Sequence, residues 1–469
     1  NANGTLTISS GEGNVTFSGI IGGTAGEHLG GLTVNSSEGT GTIEIAAIGA
    51  ASDPGLDGEG ADLALGNNTT LGVDFTGVIY NVGDDGTIAV KSTSSGEAIT
   101  FSGSSATTVK TNNASIDITN GVIATAQNLT INSLGGPITI NSVMGSSTNK
   151  SLTINADASD GGSDNDSGET ISIGAIGSGN EIGTVTLDGA DGITLSGNIT
   201  LADAGESSRY DLDIDGPVTI DGSVTIDTDN TDSDGNIDFL STINAQGEGT
   251  DSLTLTGGEG TVTLGGIIGG SEALTSFTVN ADALALSKDI TTTGLITINA
   301  PVTLSSSPTI TTTTGDITFG NKVDGNNNLV IASTSGNVEF QNKVGTVDPF
   351  GNLEIFKTAG SGTVTFSNDI GTSYNDRTFE SSQFEFGFRG DFTQSWSYEI
   401  FAQIGEVESV LDPEPLINPS RLQEGLLIDE SGNCDAAAAL ALAIEPSGDC
   451  VPVNIWSDDI GQAAANFIR

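Results

Sequence analysis

A repeated segment constrains this chain more than any other feature. Residues 11–23 read GEGNVTFSGIIGG and residues 258–270 read GEGTVTLGGIIGG, so that ten of the thirteen positions are identical. Both copies continue into a short segment that ends in Thr-Val-Asn, and residues 362–371 carry a weaker third copy, GTVTFSNDIG. A unit of glycine, a short β-branched segment and another glycine has therefore been duplicated, which is the signature of a repeat protein.

Short segments of alternating apolar and polar residues fill the chain as far as residue 377. Residues 129–132 and 152–155 both read LTIN, residues 317–319 read ITF, and Gly, Asn, Asp or Ser separate such segments. A period of two is typical of strands with one buried face, and Ile, Val and Thr favour strands. We therefore predict an all-β fold for a first domain, residues 1–377.

The spacing of these segments favours stacked coils over antiparallel hairpins, although pairs such as Asp85-Gly86 would suit hairpin turns. GDITF at residues 315–319 recurs as GNVEF at 336–340 and as GTVTF at 362–366. Coils of this length stack in parallel in β-solenoids and place equivalent residues above one another. We expect a phenylalanine ladder (Phe319, Phe340, Phe366) and an asparagine ladder (Asn321, Asn342, Asn368).

The repeated Gly-x-Val/Ile-Thr-Phe/Leu and Leu-Thr-Ile/Val-Asn segments resemble the β-strand-repeat surface proteins of bacteria, including the filamentous-haemagglutinin-like adhesins. The resemblance covers residues 1–377 and is largely compositional. It implies an exported, right-handed parallel β-helix that serves in adhesion or in a surface layer. It carries over no active-site residue.

Aromatic residues become frequent in a second domain, residues 378–469. Residues 384–392 (FEFGFRGDF) and 396–405 (WSYEIFAQIG) predict an antiparallel hairpin with aromatic residues alternating against polar or small ones. With INPSRL, DESGNC and CVPVNIW further on, this domain is similar to an internal barrel segment of TonB-dependent outer-membrane receptors. The similar part contains neither the plug domain nor the TonB box of that family, so transport does not follow from the resemblance.

Two structural roles are predicted for the second domain. Its hairpin is expected to cover the last coil of the solenoid or to add strands to a neighbouring molecule. The aromatic residues of this assembly or capping surface are Phe384, Phe386, Phe388, Trp396, Tyr398 and Phe401. Cys434 and Cys450 are the only cysteines, bracket 15 residues, and are expected to form a disulfide in an exported chain.

The charge of the chain restricts its partners. There are 61 acidic and 12 basic residues, which gives a net charge of −49. Such a surface repels nucleic acid and anionic membranes, since both require basic residues, and it suits divalent cations or basic partners. The longest apolar run, residues 436–444, is too short for a transmembrane helix.

Two acidic loops are candidate calcium sites, because Ca²⁺ binds six to eight hard oxygens from flexible loops. The candidate ligands are Asp227, Asp229, Asp232 and Asp234 in one loop, and Asp157, Asp160, Asp164 and Asp166 in the other. The alternative is that both are solvated acidic loops between strands. No other cofactor is indicated.

No catalytic arrangement is indicated by the sequence. Asp211, Asp213 and Asp215 alternate along one strand, which favours a solvent-facing row of charges over the carboxylate pair of a glycoside hydrolase. His28 is the single histidine and lies in a connection, so we expect it to be exposed and inert.

These observations favour a non-enzymatic, exported protein at the bacterial cell surface, associated with the outer membrane. Its expected work is structural or adhesive, through self-association into a filament or layer or through a glycan or other surface ligand. One alternative is a fragment of a TonB-dependent transporter that carries a solenoid insertion. Another is a polysaccharide-acting enzyme built on a β-helix.

Overall fold

The structure is a computed structural model and describes most of the first domain and one hairpin of the second. The described residues are 4–23, 28–36, 40–58, 61–93, 98–146, 150–158, 168–202, 209–230, 234–348, 350–357, 362–368, 370, 378–393 and 396–410, the last two ranges by their backbone only. They form strands and no helix, which confirms the all-β prediction for this part of the chain. None of them belongs to a helix that is long and apolar enough to cross a membrane.

The strands are short because a glycine, asparagine or aspartate corner interrupts the alternation every few residues. In the first half of the solenoid they are β1 (Thr5–Ser9), β2 (Val15–Ile21), β3 (Gly31–Asn35), β4 (Thr42–Ile48), β5 (Leu63–Leu65), β6 (Gly72–Phe75), β7 (Ile79–Asp84), β8 (Ile88–Lys91), β9 (Ile99–Phe101), β10 (Thr107–Asn112), β11 (Ile116–Thr125), β12 (Leu129–Asn132), β13 (Ile138–Gly145), β14 (Leu152–Asn155), β15 (Thr170–Ile176), β16 (Val185–Asp188), β17 (Gly192–Leu195) and β18 (Ile199–Thr200).

The remaining strands continue the same pattern up to the final hairpin. They are β19 (Leu212–Asp215), β20 (Val218–Ile220), β21 (Ser223–Asp227), β22 (Ile237–Phe239), β23 (Ile243–Ala245), β24 (Ser252–Leu264), β25 (Ser276–Leu286), β26 (Ile290–Thr292), β27 (Ile296–Ile298), β28 (Val302–Leu304), β29 (Thr309–Thr312), β30 (Ile317–Phe319), β31 (Val323–Asp324), β32 (Leu329–Ser333), β33 (Val338–Phe340), β34 (Leu353–Lys357), β35 (Val364–Phe366), β36 (Thr378–Thr393) and β37 (Trp396–Val410).

Strands β1 to β35 pair in parallel along three ladders, which gives a β-solenoid of more than a dozen turns. The first ladder runs from β1 through β3, β5, β8, β11, β13, β15, β17, β20 and β23, then through a bridge at Ile268 to β26, β29, β32 and β34.

The other two ladders begin on the two halves of β2. The second ladder continues from Val15 and Phe17 through β4, β6 and β9, and ends in β27, β30, β33 and β35. The third continues from Ile21 through β4, β7, β10, β12, β14, β16, β19, β22, β24, β25, β28 and β31 to bridges at Val344 and Ile370. This parallel stacking confirms the predicted β-solenoid and excludes hairpins for the described strands of the first domain.

The hydrophobic core consists of columns of inward side chains that run along the ladders. Ile116, Ile138 and Ile171 occupy consecutive levels of the first ladder and are at most 1% exposed. The polar residues between them face outward and are partly exposed, as the period of two requires. A single coil is too thin to enclose a core of its own, so the coils above and below complete it.

The predicted phenylalanine ladder is confirmed. Phe319, Phe340 and Phe366 are consecutive in the second ladder, with ring centroids 4.7 and 4.9 Å apart and interplanar angles of 4° and 2°. Asn321 and Asn342 also occupy equivalent corners. However, each amide oxygen accepts a hydrogen bond from the backbone N–H of the next lysine at 2.8 Å, so these hydrogen bonds are local to the corner.

The two copies of the repeated segment occupy different sides of the solenoid. Val15 of the first copy lies in the second ladder, whereas the equivalent Val262 lies in the third. The following Ile21 lies in the third ladder and its equivalent, Ile268, in the first. The offset between the copies is therefore not a whole number of turns, and the three sides of the solenoid accept the same sequence unit.

The glycines of the repeat make its corners. Gly22 and Gly269 are equivalent and have φ angles of 63° and 66°, in the left-handed region that favours glycine. A Cβ atom at Gly22 would lie 2.2 Å from the carbonyl oxygen of Gly55, and one at Gly269 would lie 2.1 Å from that of Thr291. Conformation and space both require glycine here, which explains why these positions are identical in the two copies.

The chain divides into two compact units, residues 1–371 and 372–469. The solenoid forms the first unit. In the second, β36 and β37 pair with each other in antiparallel fashion, with Phe384 opposite Ile404 and Phe388 opposite Ile400. The domain boundary at residue 377 remains a prediction.

Candidate functional site

The acidic loop after β21 uses its carboxylates to bind its own backbone. Asp227 accepts a hydrogen bond from the N–H of Asp229 at 3.1 Å. Asp234 accepts one from the N–H of Asn230 at 2.7 Å and another from the N–H of Glu259 in β24. Burial and the charges of Asp234 and Asp227 raise the pKa of Asp229. These carboxylates thus order the loop and connect it to the next coil.

The described part of the two candidate calcium loops is not arranged as a metal site. No group of three or more His, Cys, Asp or Glu side chains among the described residues is placed to hold a metal ion. Asp157, Asp227, Asp229 and Asp234 belong to the described residues, whereas Asp160, Asp164, Asp166 and Asp232 do not. Calcium binding by these two loops therefore remains a prediction.

Stacking brings together carboxylates that are far apart in sequence, on the outward face of the third ladder. Asp188 at the end of β16 lies between Asn155 of β14 and Asp215 of β19 in the register of the strands. Its half-buried position raises its pKa to about 6, with further contributions from the charges of Asp157, Asp215 and Glu169. Glu169 is only 4% exposed and accepts a hydrogen bond from the N–H of Ala158.

The row Asp211, Asp213 and Asp215 takes part in this acidic face. Asp213 pairs in register with Asp238 on the next strand, and its pKa is raised by burial and then by the charges of Asp238 and Asp211. Asp211 accepts a hydrogen bond from the N–H of Asn236 at 2.8 Å, which attaches it to the next coil. The arrangement is a row of carboxylates that continues across neighbouring coils.

One carboxylate that the sequence did not single out is built into a corner of the core. Asp251 is 4% exposed and accepts hydrogen bonds from the N–H groups of Gly222, Gln246 and Gly247 at 2.8 to 3.0 Å. Burial opposes ionisation of Asp251, but these donors and the side chain of Thr250 outweigh it, so that its pKa is lowered. This residue is structural, because its oxygens are occupied by the backbone of two coils.

His28 is less exposed than its position in a connection predicts, so that expectation was wrong. Its side chain is 14% exposed, and Nδ1 lies 2.6 Å from the carbonyl oxygen of Pro54, to which Nδ1–H donates. Nε2 lies 3.9 Å from Asp53 Oδ1. The ring therefore connects the corners of neighbouring coils near the start of the solenoid.

Side chains of the first described coil are more exposed than their partners on the next level. Among the described strands, β1 pairs only with β3, and β2 pairs only with β4. Leu6 is 40% exposed, whereas its partner one level on, Leu32, is fully buried. Val15 and Phe17 are half-buried, whereas their partners are fully buried.

Side chains of the last described coil are also more exposed than their partners. Among the described strands, β34 pairs only with β32, and β35 pairs only with β33. Val364 is 39% exposed and Ile370 is 43% exposed, whereas their partners Val338 and Val344 are at most 1% exposed.

The remaining predicted site residues lie outside the part of the chain that the structure describes. Cys434 and Cys450 lie outside the described residues, and so do the side chains of Phe384, Phe386, Phe388, Trp396, Tyr398 and Phe401. The disulfide and the aromatic capping surface remain predictions.

Comparisons with known protein families, with curated proteins and with solved structures found no match to this chain. The function is therefore inferred from the geometry of the solenoid alone.

Proposed function

We propose that this protein is a non-enzymatic structural component that self-associates at the bacterial cell surface. The observation that carries the proposal is the parallel β-solenoid, in which each described coil completes the core of its neighbours. A parallel β-solenoid is compatible with a structural or adhesive role.

The physical reason for self-association is the unpaired strand edge. An edge strand presents a row of free N–H and C=O groups, and natural proteins cover or charge such edges to prevent pairing. In the last described coil, the exposed side chains Val364 and Ile370 next to the edge are apolar. Burial of such surface contributes roughly 25 cal/mol per Å² of apolar area.

The charge of the protein limits association to specific surfaces. A net charge of −49 keeps molecules apart in solution, because like-charged surfaces repel over about one Debye length. Outward carboxylates such as Asp188, Asp213 and Asp238 line the sides of the central coils. Lateral association through these acidic sides is thereby disfavoured.

The proposal is tested by sedimentation velocity and electron microscopy of the 469-residue protein. We expect species larger than the monomer, and a larger assembled fraction in about 1 M than in about 0.01 M salt, since salt screens the repulsion between acidic molecules. A protein that stays monomeric at all salt and protein concentrations would contradict self-association.

A further inference from the structure

We propose that the chain cleaves its own peptide bond between Asp53 and Pro54, with the Asp53 carboxylate as the nucleophile and His28 as the proton donor. The bond lies in the turn that follows β4, and all three residues belong to the described part of the chain. The step occurs once per molecule, so it is a self-processing reaction without turnover. It goes beyond the proposed structural role and does not depend on self-association.

The single histidine of the chain contacts both residues of this bond. Nδ1–H of His28 donates to the carbonyl oxygen of Pro54 at 2.6 Å, and Nε2 lies 3.9 Å from Asp53 Oδ1. The imidazole is 14% exposed, whereas the side chain of Asp53 is 30% exposed, so water reaches the carboxylate. The ring therefore holds a transferable proton beside the bond between Asp53 and Pro54.

The turn holds the carbonyl group of Asp53 in a fixed position. Ala50 N–H donates to the carbonyl oxygen of Asp53 at 2.7 Å, and Asp53 N–H donates back to Ala50 at 3.3 Å. Asn81 Nδ2 donates to the carbonyl oxygen of Ala50 at 2.7 Å, and Lys110 Nζ donates to that of Ala51 at 2.5 Å. Side chains of later coils thus preorganise the turn, and Ala50 N–H is placed to stabilise negative charge on the Asp53 oxygen.

The reaction joins a carboxylate oxygen of Asp53 to the carbonyl carbon of the same residue. A cyclic anhydride forms, the C–N bond to Pro54 breaks, and the proline nitrogen takes a proton from the His28 imidazolium, directly or through one water. Water then opens the anhydride to the two carboxyl groups of a C-terminal aspartate, and a proton released in this step restores the imidazolium. The net reaction is the hydrolysis of one peptide bond, and water is the only co-reactant.

Proline suits this step as the leaving group. Its nitrogen belongs to a tertiary amide and carries no N–H before cleavage. The product is a secondary amine, which is more basic than the primary amine that any other residue would release. The nitrogen of Pro54 therefore accepts the proton more readily than the nitrogen of an ordinary peptide bond.

Two other charged side chains lie at this corner. Lys110 contacts the carbonyl oxygen of Ala51, as described above, and Asp57 Oδ1 accepts a hydrogen bond from the N–H of Gly58 at 2.9 Å. Both of these contacts are made to backbone groups. The proposal therefore assigns the proton to His28, whose ring lies beside the Asp53 carboxylate.

Cleavage would nick the solenoid without taking it apart. The segment before the bond contains β1 to β4, and β3 and β4 pair with β5, β6 and β7 on the other side of it. These ladders and their buried side chains hold the two pieces together. The products therefore separate only under denaturing conditions, which determines the assay.

The chain supplies its own controls for the experiment. The dipeptide Asp-Pro occurs three times, at residues 53–54, 348–349 and 412–413, whereas histidine occurs once. We expect folded protein kept at about pH 5 to be cleaved between residues 53 and 54 at least about tenfold faster than at the other two bonds. A denaturing gel measures the rates, and mass spectrometry of the fragments identifies each bond.

The same incubation in denaturant shows whether the fold is responsible. Unfolding removes the proton donor from the bond, so the three Asp-Pro bonds should then be cleaved at similar, slower rates. Equal rates at the three bonds in the folded protein would instead mean that ordinary acid lability explains the cleavage, and would overturn the proposal.

Two variants separate the nucleophile from the proton donor. Asp53→Asn removes the carboxylate and should stop cleavage at this bond. His28→Asn retains a side-chain N–H for the carbonyl oxygen of Pro54 but carries no titratable proton, so it should slow the folded protein at least about tenfold and leave the rate in denaturant unchanged.

The pH profile distinguishes proton donation from a purely structural role of His28. Histidine changes its charge between about pH 5 and about pH 8, so the folded wild type should be cleaved faster at the lower pH. The His28→Asn protein should lose most of this difference. A His28→Asn protein that is cleaved as fast as the wild type would overturn the role of His28, and a wild type that stays intact at about pH 5 would overturn the self-cleavage itself.

Discussion

Two phenylalanines in one column show how the central and terminal coils of the solenoid differ. Phe340 is fully buried between Phe319 and Phe366, with a parallel ring on each face. Phe366 stacks on Phe340 on one face and is only partly buried. The neighbouring valines differ in the same way, since Val338 is fully buried and Val364 is 39% exposed.

The local sequence of the two coils is nearly the same, so position in the stack decides burial. Residues 338–340 read VEF and residues 364–366 read VTF, on the same ladder and in the same register. In a quasi-one-dimensional fold each unit is stabilised by its two neighbours, and a terminal unit has only one. A phenylalanine in the last described coil is therefore expected to contribute less to stability than one in a central coil.

The largest expected effect on stability comes from replacing the phenylalanines of this column by alanine, one in a central coil and one in the last described coil. Phe340→Ala removes a fully buried ring and should lower the free energy of unfolding by about 3–5 kcal/mol. Phe366→Ala should cost about 1–2 kcal/mol in the monomer, because its ring is already half solvated. Urea unfolding of dilute protein at low salt, where the ends are free, measures both.

Phe356 in β34 is the control for removing a phenylalanine from the last coil. It is 50% exposed, so Phe356→Ala should lower the free energy of unfolding by less than about 1 kcal/mol. An equal cost for Phe340→Ala and Phe366→Ala would mean that the last coil is covered in the monomer, and would break the comparison between central and terminal coils.

A smaller loss of stability is expected when a polar corner residue is replaced by alanine, and the loss should be larger in a central coil than in the first described coil. Asp251→Ala in a central coil leaves three buried N–H groups without their acceptor and should cost about 2–4 kcal/mol near pH 7. Asn14 of the first coil accepts one hydrogen bond from the N–H of Thr42 at 3.0 Å. Asn14→Ala should cost less than about 1 kcal/mol, because water can replace an exposed acceptor.

The pH dependence of Asp251 identifies its charged form as the stabilising one. Its pKa is lowered in the folded protein from the usual 3.8, so its contribution is present above about pH 4 and is lost as the pH falls further. Asp251→Asn should therefore differ from the wild type near pH 7 and approach it in acid. An exposed control of equal charge change, Asp282→Asn, should stay within about 0.5 kcal/mol.

The sequence was sufficient for the fold because the period of two and the spacing of 21 residues leave few alternatives. A shift of one residue between the two strands would turn either Phe319 or Phe340 to solvent, so the register follows from the alternation. The side of the solenoid that a segment occupies was not predictable. Coil length depends on corner loops of irregular length: 19 residues separate the paired Phe277 and Ile296, whereas 33 separate Ile138 and Ile171.

The sites were less predictable, because stacking creates proximity that the linear order hides. Asp227 and Asp229 are close in sequence, and the hydrogen bond from the N–H of Asp229 to the carboxylate of Asp227 orders their own loop. Asp188 and Asp215 are paired across neighbouring coils. The sequence signal for this pairing was that the segments LTIN, VTLD and LDID all end in a polar residue, at the ends of strands β14, β16 and β19. The buried Asp251 left no such signal, since it lies in a corner without a repeated pattern.

The smallest expected effect concerns the outward charges of the central coils. At Asp188 burial and the neighbouring carboxylates raise the pKa to about 6, whereas the unfolded chain retains the usual 3.8. Because the folded protein favours the protonated carboxyl of Asp188, the free energy of unfolding falls as the pH rises from about 4 through about 6. Asp188→Asn should remove this loss and stabilise the protein near pH 7 by about 1 kcal/mol, a value reduced for solvent screening at a half-buried group.

The same substitution at a terminal coil separates stacked charge from total charge. Glu354→Gln in β34 also removes one negative charge, but from an exposed position in a coil with one open side. It should change stability by less than about 0.5 kcal/mol at any pH. Urea unfolding at about pH 4 and about pH 7 distinguishes the two, because only Asp188→Asn should gain stability relative to the wild type at the higher pH. A gain of equal size at both positions would show that net charge, and not the stacking of carboxylates between neighbouring coils, opposes folding of the central solenoid.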